Sequence, residues 1–236
     1  EYTMESGVRG LKKQMETLCR QAAVKLVKGE QKSISVGVKR LKEFLGRKKI
    51  HHDVRMQEPQ AGVVTGLAWT SAGGEILFIE TSRTKGEGKV QITGQLGDVM
   101  KESVQIALTL VKSMFPEEAE TLNESDIHIH VPAGAVPKDG PSAGITIVTA
   151  LTSMLKEKGI SPEYAMTGEV SLRGGVMPIG GLPEKLMAAQ RAGIRTVFIP
   201  YENREDLEDV ADEVKEDLTI IPVKRIEEVL QKTNLI

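Results

Sequence analysis

An α+β domain behind a short helical segment is the fold this sequence predicts, and three observations predict it. Residues 1–58 carry helical periodicity with almost no strand pattern. From about Gly62 the apolar pattern changes to short strands separated by glycine-bearing turns such as Ala72-Gly73-Gly74. Beyond these, strands and helices interleave without a regular βαβ repeat.

At 236 residues and 40% hydrophobic content, the chain suits one ordinary domain, residues 59–236, plus an appendage, residues 1–58. A formal net charge of −2 supplies no general drive toward nucleic acid, which is not expected as a partner. The single cysteine, Cys19, excludes internal disulfides, fits a reducing compartment and reads as a small buried hydrophobe on a helix. No apolar run reaches the roughly 18 residues of a membrane span, and no signal peptide is present, so a soluble protein without a membrane partner is expected. The chain starts at Glu1 inside a helical pattern and without an initiator Met, as a fragment of a longer protein would.

Val8, Leu11, Met15, Leu18, Ala22 and Leu26 predict an amphipathic helix from about Thr3 to Lys28, ended by Gly29. Ile34 and Val36 suggest a short strand, and Val38 to Leu45 another helix stopped by Gly46. Arg47-Lys48-Lys49, with His51 and His52, reads as a solvated linker. Strands are predicted at Val63 to Trp69, Ile76 to Ser82 and Lys89 to Thr93, then a long helix from Gly97 to Phe115. Core packing accounts for Trp69, and exposed-face alternation for Glu80. Ile127 to Val131 alternates like a half-buried strand, whereas Ile145, Val148, Leu151 and Leu155 recur at helical spacing. A hairpin follows over Val170 to Met177, a buried strand at Thr196 to Ile199, an acidic helix at Glu202 to Val210, a strand at Leu218 to Val223 and a closing helix at Ile226 to Leu230.

Pro137-Lys138-Asp139-Gly140-Pro141-Ser142-Ala143-Gly144 stands between the half-buried strand and the apolar helix, so Ser142 opens a helix. Amides of a first turn lack helical partners and carry the positive end of the dipole, which suits an oxygen gaining negative charge. Asp139 is the candidate N-cap, and Gly140 and Gly144 allow a substrate backbone to approach. Alone, the segment reads first as an ordinary capped helix start.

A nucleophilic serine needs a base. Gly140 to Gly144 fits the G-x-S-x-G elbow, but no His follows Ser142, and residues 132–141 are too long for a sharp strand-to-helix turn. A chymotrypsin-like order stays open with His128 or His130, which share one face of a short strand. The other available base type is lysine, once burial lowers its pKa. Lys185 lies at the edge of the apolar face formed by Leu182, Leu186 and Ala189, on a helix with Pro183 at its start and Gly193 past its end. Two states are open to it: a stem laid on apolar surface with its charge in water, or a base held dry.

Two further pairs, Ser82-x-x-Lys85 and Ser153-x-x-Lys156, lack the K-T-G that would accompany S-x-x-K chemistry. Without H-E-x-x-H, His128 and His130 supply two ligands at most, and no metal is expected. No G-x-x-x-x-G-K-[ST] loop occurs, so no nucleotide cofactor is expected for this chain.

Pro137 to Gly144, Met166-Thr167-Gly168-Glu169 and Pro178-Ile179-Gly180-Gly181-Leu182-Pro183-Glu184-Lys185, in this order and spacing, resemble the proteolytic domain of the Lon protease family over nearly the whole chain. The resemblance implies a mixed-sheet fold like ribosomal protein S5 domain 2, and a Ser-Lys dyad with Ser142 as nucleophile and Lys185 as general base. It implies that Thr167 hydrogen-bonds the lysine and that Glu80 and Trp69 lie near the active-site cleft. One departure is Pro183, where most relatives carry a lysine. Residues 1–58 would be the tail of the ATPase helical subdomain, with ATP and Mg required only by the missing ATPase module. Unfolded polypeptide substrates, a homohexameric ring and a bacterial cytoplasmic location complete the implied picture; the competing reading is a non-catalytic ring-forming or polypeptide-binding module.

Overall fold

A computed structural model describes the chain except residues 1, 4, 6, 30, 31, 49, 51, 52 and 133–136. The chain divides into two compact units, residues 1–52 with 71–73 and residues 53–70 with 74–236.

In the first unit, α1 spans Arg9–Val27 and α2 Leu41–Leu45, with a 3-10 turn at Val38–Arg40. The Glu5 carboxylate accepts the Gly10 and Leu11 N–H groups at 2.7 and 2.8 Å, which fixes the start of α1 at Arg9 rather than near Thr3. No residue of α1 is buried, and Cys19 is exposed, contrary to the buried position expected. Phe44 is the buried apolar residue of α2, with Lys25 and Arg40 lying over its ring. The strand expected at Ile34 and Val36 does not form: the segment is irregular, and two alternating apolar residues cannot hold a strand without a partner. Lys49, His51 and His52 of the expected linker lie outside the described residues.

The second unit contains β1 (Val63–Thr70), β2 (Gly73–Lys85, all but its first residue), β3 (Val90–Thr93), α3 (Asp98–Met114), α4 (Pro116–Asn123) and β4 (Ser125–His130). It continues through α5 (Gly144–Leu155), β5 (Tyr164–Met166), β6 (Glu169–Val170), β7 (Val176–Met177), α6 (Leu182–Arg191), β8 (Thr196–Pro200), α7 (Asp212–Asp217), β9 (Thr219–Val223) and α8 (Ile226–Lys232). Seven strands form one mixed sheet in the order β3-β4-β2-β1-β5-β8-β9, and β6 pairs with β7 as a separate antiparallel hairpin. The β2/β4 pair is antiparallel, whereas β3/β4, β1/β5, β5/β8 and β8/β9 are parallel.

Two apolar clusters cover the two faces of the sheet. Val64, Ile79, Ile129, Met166 and Phe198 pack with α3, α5 and α8, while Leu67, Ala165, Val197 and Ile199 pack with α6 and α7. Every residue of α5 is buried, as its apolar content on all sides requires. Its hydroxyls are satisfied internally: Thr149 and Thr152 donate to the carbonyls of Ile145 and Val148, and Ser153 Oγ accepts from Gly62 N and donates to Lys158 O. Ser153 is thus a fastening for the Gly62 loop, not a partner of Lys156. The acidic segment is a 3-10 run, Tyr201–Asp209, rather than the expected α-helix; too few of its side chains are apolar to bury a helical face.

Candidate active site

Ser142 sits in a 3-10 turn, Pro141–Ala143, that runs straight into α5. Pro141 has no N–H, so the Ser142 amide is the first donor of the turn. Gly140 holds φ 123° and ψ 157°, a region restricted to glycine, and the space where its Cβ would stand is open. The Ser142 carbonyl accepts the Gly168 N–H at 2.8 Å and the Thr167 hydroxyl at 3.4 Å, while Ile145 N donates to Gly168 O. The end of β5 and the start of α5 are therefore stitched together around the serine.

Asp139 does not cap this turn. Its Oδ1 accepts the Met100 N–H at 3.0 Å and the Gly140 N–H at 2.9 Å, so it caps α3 from across the fold. Gly97 makes room for it: a Cβ there would lie 2.3 Å from Asp139 Cγ. Lys138 N donates to Gln95 O and Gly97 N to Lys138 O, completing a dock that holds the approach to Ser142 against the start of α3. The local pattern misled because the unpaired amides nearest to Asp139 in space belong to a helix 39 residues away in sequence.

Lys185 occupies the first turn of α6 and is 2% exposed. The structure shows the dry state of the two open to it. Its Nζ donates to Thr167 Oγ1 at 3.1 Å, and Thr167, fully buried, donates in turn through its hydroxyl to the Ser142 carbonyl and through its backbone N–H to Phe198 O. Among the described residues no carboxylate pairs with Lys185, and desolvation by burial lowers its pKa to about 8. The start of α6 is fixed by two close approaches. A Cβ on Gly74 of β2 would lie 1.9 Å from Glu184 O, and Gly181, at φ 69°, lies under Trp69, whose Cγ would be 2.7 Å from an added Cβ.

Ser142 and Lys185 line one cavity of about 710 Å³, whose walls include Trp69, Phe78, Met100 and Ile179. Asp139 and Gly140 line it too, and Thr167 stands behind Lys185. Glu80 does not itself line the cavity; it lies two residues beyond Phe78 on the same face of β2, opposite His130 in the β2/β4 register. Residues facing each other across a ladder share a face, so Glu80 follows the histidines. His128 and His130 are bound to a single hydroxyl, Thr93 Oγ1, at 2.8 Å to Nε2 and 2.7 Å to Nδ1, and neither lines the cavity. Among the described residues no group of three or more His, Cys, Asp or Glu side chains could hold a metal, and no helix is long and apolar enough to cross a membrane.

Sequence reasoning missed one residue of the site. Asn203, 4% exposed, accepts the Ile179 N–H through Oδ1 at 3.0 Å and donates from Nδ2 to Ile179 O at 2.8 Å. Its one sequence signal is an uncharged amide within the charged run Glu202 to Asp209.

Residues 35–235 match the family profile of the Lon protease C-terminal proteolytic domain, and residues 1–34 that of the Lon protease AAA+ ATPase lid domain. The chain is 56% identical to a Lon protease of Clostridium beijerinckii, over 99% of the chain and 29% of that protein. It is 51% identical to a Lon protease of Methanosarcina barkeri and 49% identical to Lon protease 1 of Bacillus subtilis, each over 98% of the chain and 29% and 30% of those proteins. The chain thus spans less than a third of the length of these relatives.

Proposed function

Because this chain belongs to the Lon protease family, we propose that its larger unit is a serine endopeptidase in which Ser142 is the nucleophile and Lys185 its general base. The observation that carries the reading is Lys185 itself: buried, without a carboxylate, lowered to about 8, and linked through Thr167 to the backbone of Ser142 in one cavity.

A neutral amine near pH 8 can take the Ser142 hydroxyl proton as Oγ attacks the scissile carbonyl. The same ammonium returns that proton to the leaving amine as the C–N bond breaks, leaving an acyl ester on Ser142. Lys185 then draws a proton from water, which cleaves the ester and restores the serine. The Ser142 amide, first donor of its turn, faces the negative charge that develops on the carbonyl oxygen. β1 runs to Thr70, four residues past its last pair with β5, Gly66↔Met166, and Leu67 to Thr70 line the cavity. An extended wall of this kind suits an extended, unfolded polypeptide rather than a folded one.

Within a longer protein this domain would be the proteolytic part of an ATP-dependent machine that degrades unfolded or damaged proteins in the bacterial cytoplasm as a hexameric ring, with ATP and Mg serving the ATPase module. A non-catalytic polypeptide-binding module would have no use for a buried lysine that has no carboxylate partner among the described residues, which costs stability. A fluorophosphonate probe tests the choice. It is expected to label Ser142 and to stop hydrolysis of a fluorogenic peptide; a folded protein that neither reacts nor cleaves would contradict the proposal.

A further inference from the structure

Ile179 forms part of the cavity wall, on the strap between β7 and α6. Among the described residues no backbone–backbone hydrogen bond holds residues 178–180. The amide of Asn203 replaces a strand partner, taking both the N–H and the C=O of Ile179 while its second amide proton goes to Asp206 Oδ2 at 2.6 Å. All three polar roles of a buried side chain are thereby filled, and no other residue type has this donor and acceptor pair at this length.

We propose that Asn203 is a positioning residue for substrate binding: it sets where the Ile179 wall stands and so the width of the cavity opposite β1. The inference rests on the proposed peptidase function but concerns a separate step. Lys185 is held independently by Thr167 and by the contact of Gly74 with Glu184, so loss of the Asn203 clamp loosens the wall and leaves the base in place. A peptide long enough to fill the cavity feels that change; a small reagent that reaches only Ser142 does not.

The test is Asn203→Asp, which keeps the shape but replaces the Nδ2 donor by an oxygen facing Ile179 O and the Asp206 carboxylate. KM for a peptide filling the cavity is expected to rise roughly tenfold, the loss of a buried hydrogen-bonded pair, with kcat within about twofold. The rate of Ser142 labelling by a small fluorophosphonate should be unchanged; the Ile179 N–H keeps its oxygen acceptor in this variant, and its protection from hydrogen exchange should fall in Asn203→Ser. If Asn203→Asp does not fold, Asn203→Ser, which withdraws both bonds without adding charge, is read in the same way. An unchanged KM, or a fall in kcat and labelling at constant KM, overturns the role of Asn203. A wild-type protein that is neither labelled nor active overturns the peptidase reading instead, so the two failures are distinguishable.

Discussion

Two regions of the larger unit each set basic side chains against a threonine hydroxyl, and they differ in what surrounds them. On β4, His128 and His130 share Thr93 and are half-buried. In the cavity, Lys185 shares Thr167, is almost wholly buried and pairs with no carboxylate among the described residues. Histidine has the better intrinsic pKa for a base at neutral pH and lysine the worse. Yet the lysine is the group that lines Ser142's cavity, and there desolvation without a compensating charge lowers the pKa of its ammonium. On the proposed mechanism the environment, rather than the residue type, makes the base.

That contrast can be broken most sharply by substitution on both sides. Ser142→Ala is expected to lower peptide hydrolysis by roughly 10⁴-fold or more, as loss of a nucleophile does. His128→Phe with His130→Phe should leave it within about threefold; a collapse in that variant, with the fold intact by circular dichroism, would move the base to β4.

Stability gives the next largest effect. The folded state holds Lys185 near 8 against 10.5 for a free lysine. The unfolded chain therefore binds more protons between these values, and stability should rise as pH climbs from about 8 to 10.5. At neutral pH the burial costs on the order of 3 kcal/mol. Lys185→Met should therefore stabilise the protein by about 1–3 kcal/mol at pH 7 and flatten that pH dependence, while abolishing activity. Denaturant melts at pH 7 and pH 10 check both; destabilisation by Lys185→Met at pH 7 would mean that the ammonium has a partner.

Thr167→Val removes the hydroxyl between Lys185 and the Ser142 carbonyl while keeping the shape. We expect kcat to fall about tenfold, with Thr167→Ser restoring most of it. Equal loss in both variants would show that the methyl group, not the hydrogen bond, matters.

Much of this site could be read from the chain. Ser142 and Lys185 stand at helix starts, and helix starts announce themselves locally through Pro141, Pro183 and the apolar spacing that follows. The role expected of Thr167 came only from the resemblance, since nothing local ties it to a residue 18 positions away. Asp139 was legible as a cap but not as the cap of α3, and Asn203 was hidden in a charged run. β5 escaped because three residues cannot show a period, and Ala165 and Met166 belong to opposite faces. Cys19 was misplaced because an amphipathic pattern tells which face of a helix is apolar, not whether anything covers it.

The claim that desolvated Lys185 is the base is tested most directly by the pH dependence of Ser142 phosphonylation by a fluorophosphonate. The rate should rise with pH through a single midpoint of about 8, where the ammonium gives up its proton. The rise should survive the His128→Phe, His130→Phe double variant and vanish with the activity in Lys185→Arg, whose guanidinium stays charged. A midpoint near 6.5 that disappears with the histidines, or near-normal phosphonylation in Lys185→Arg, would contradict the account.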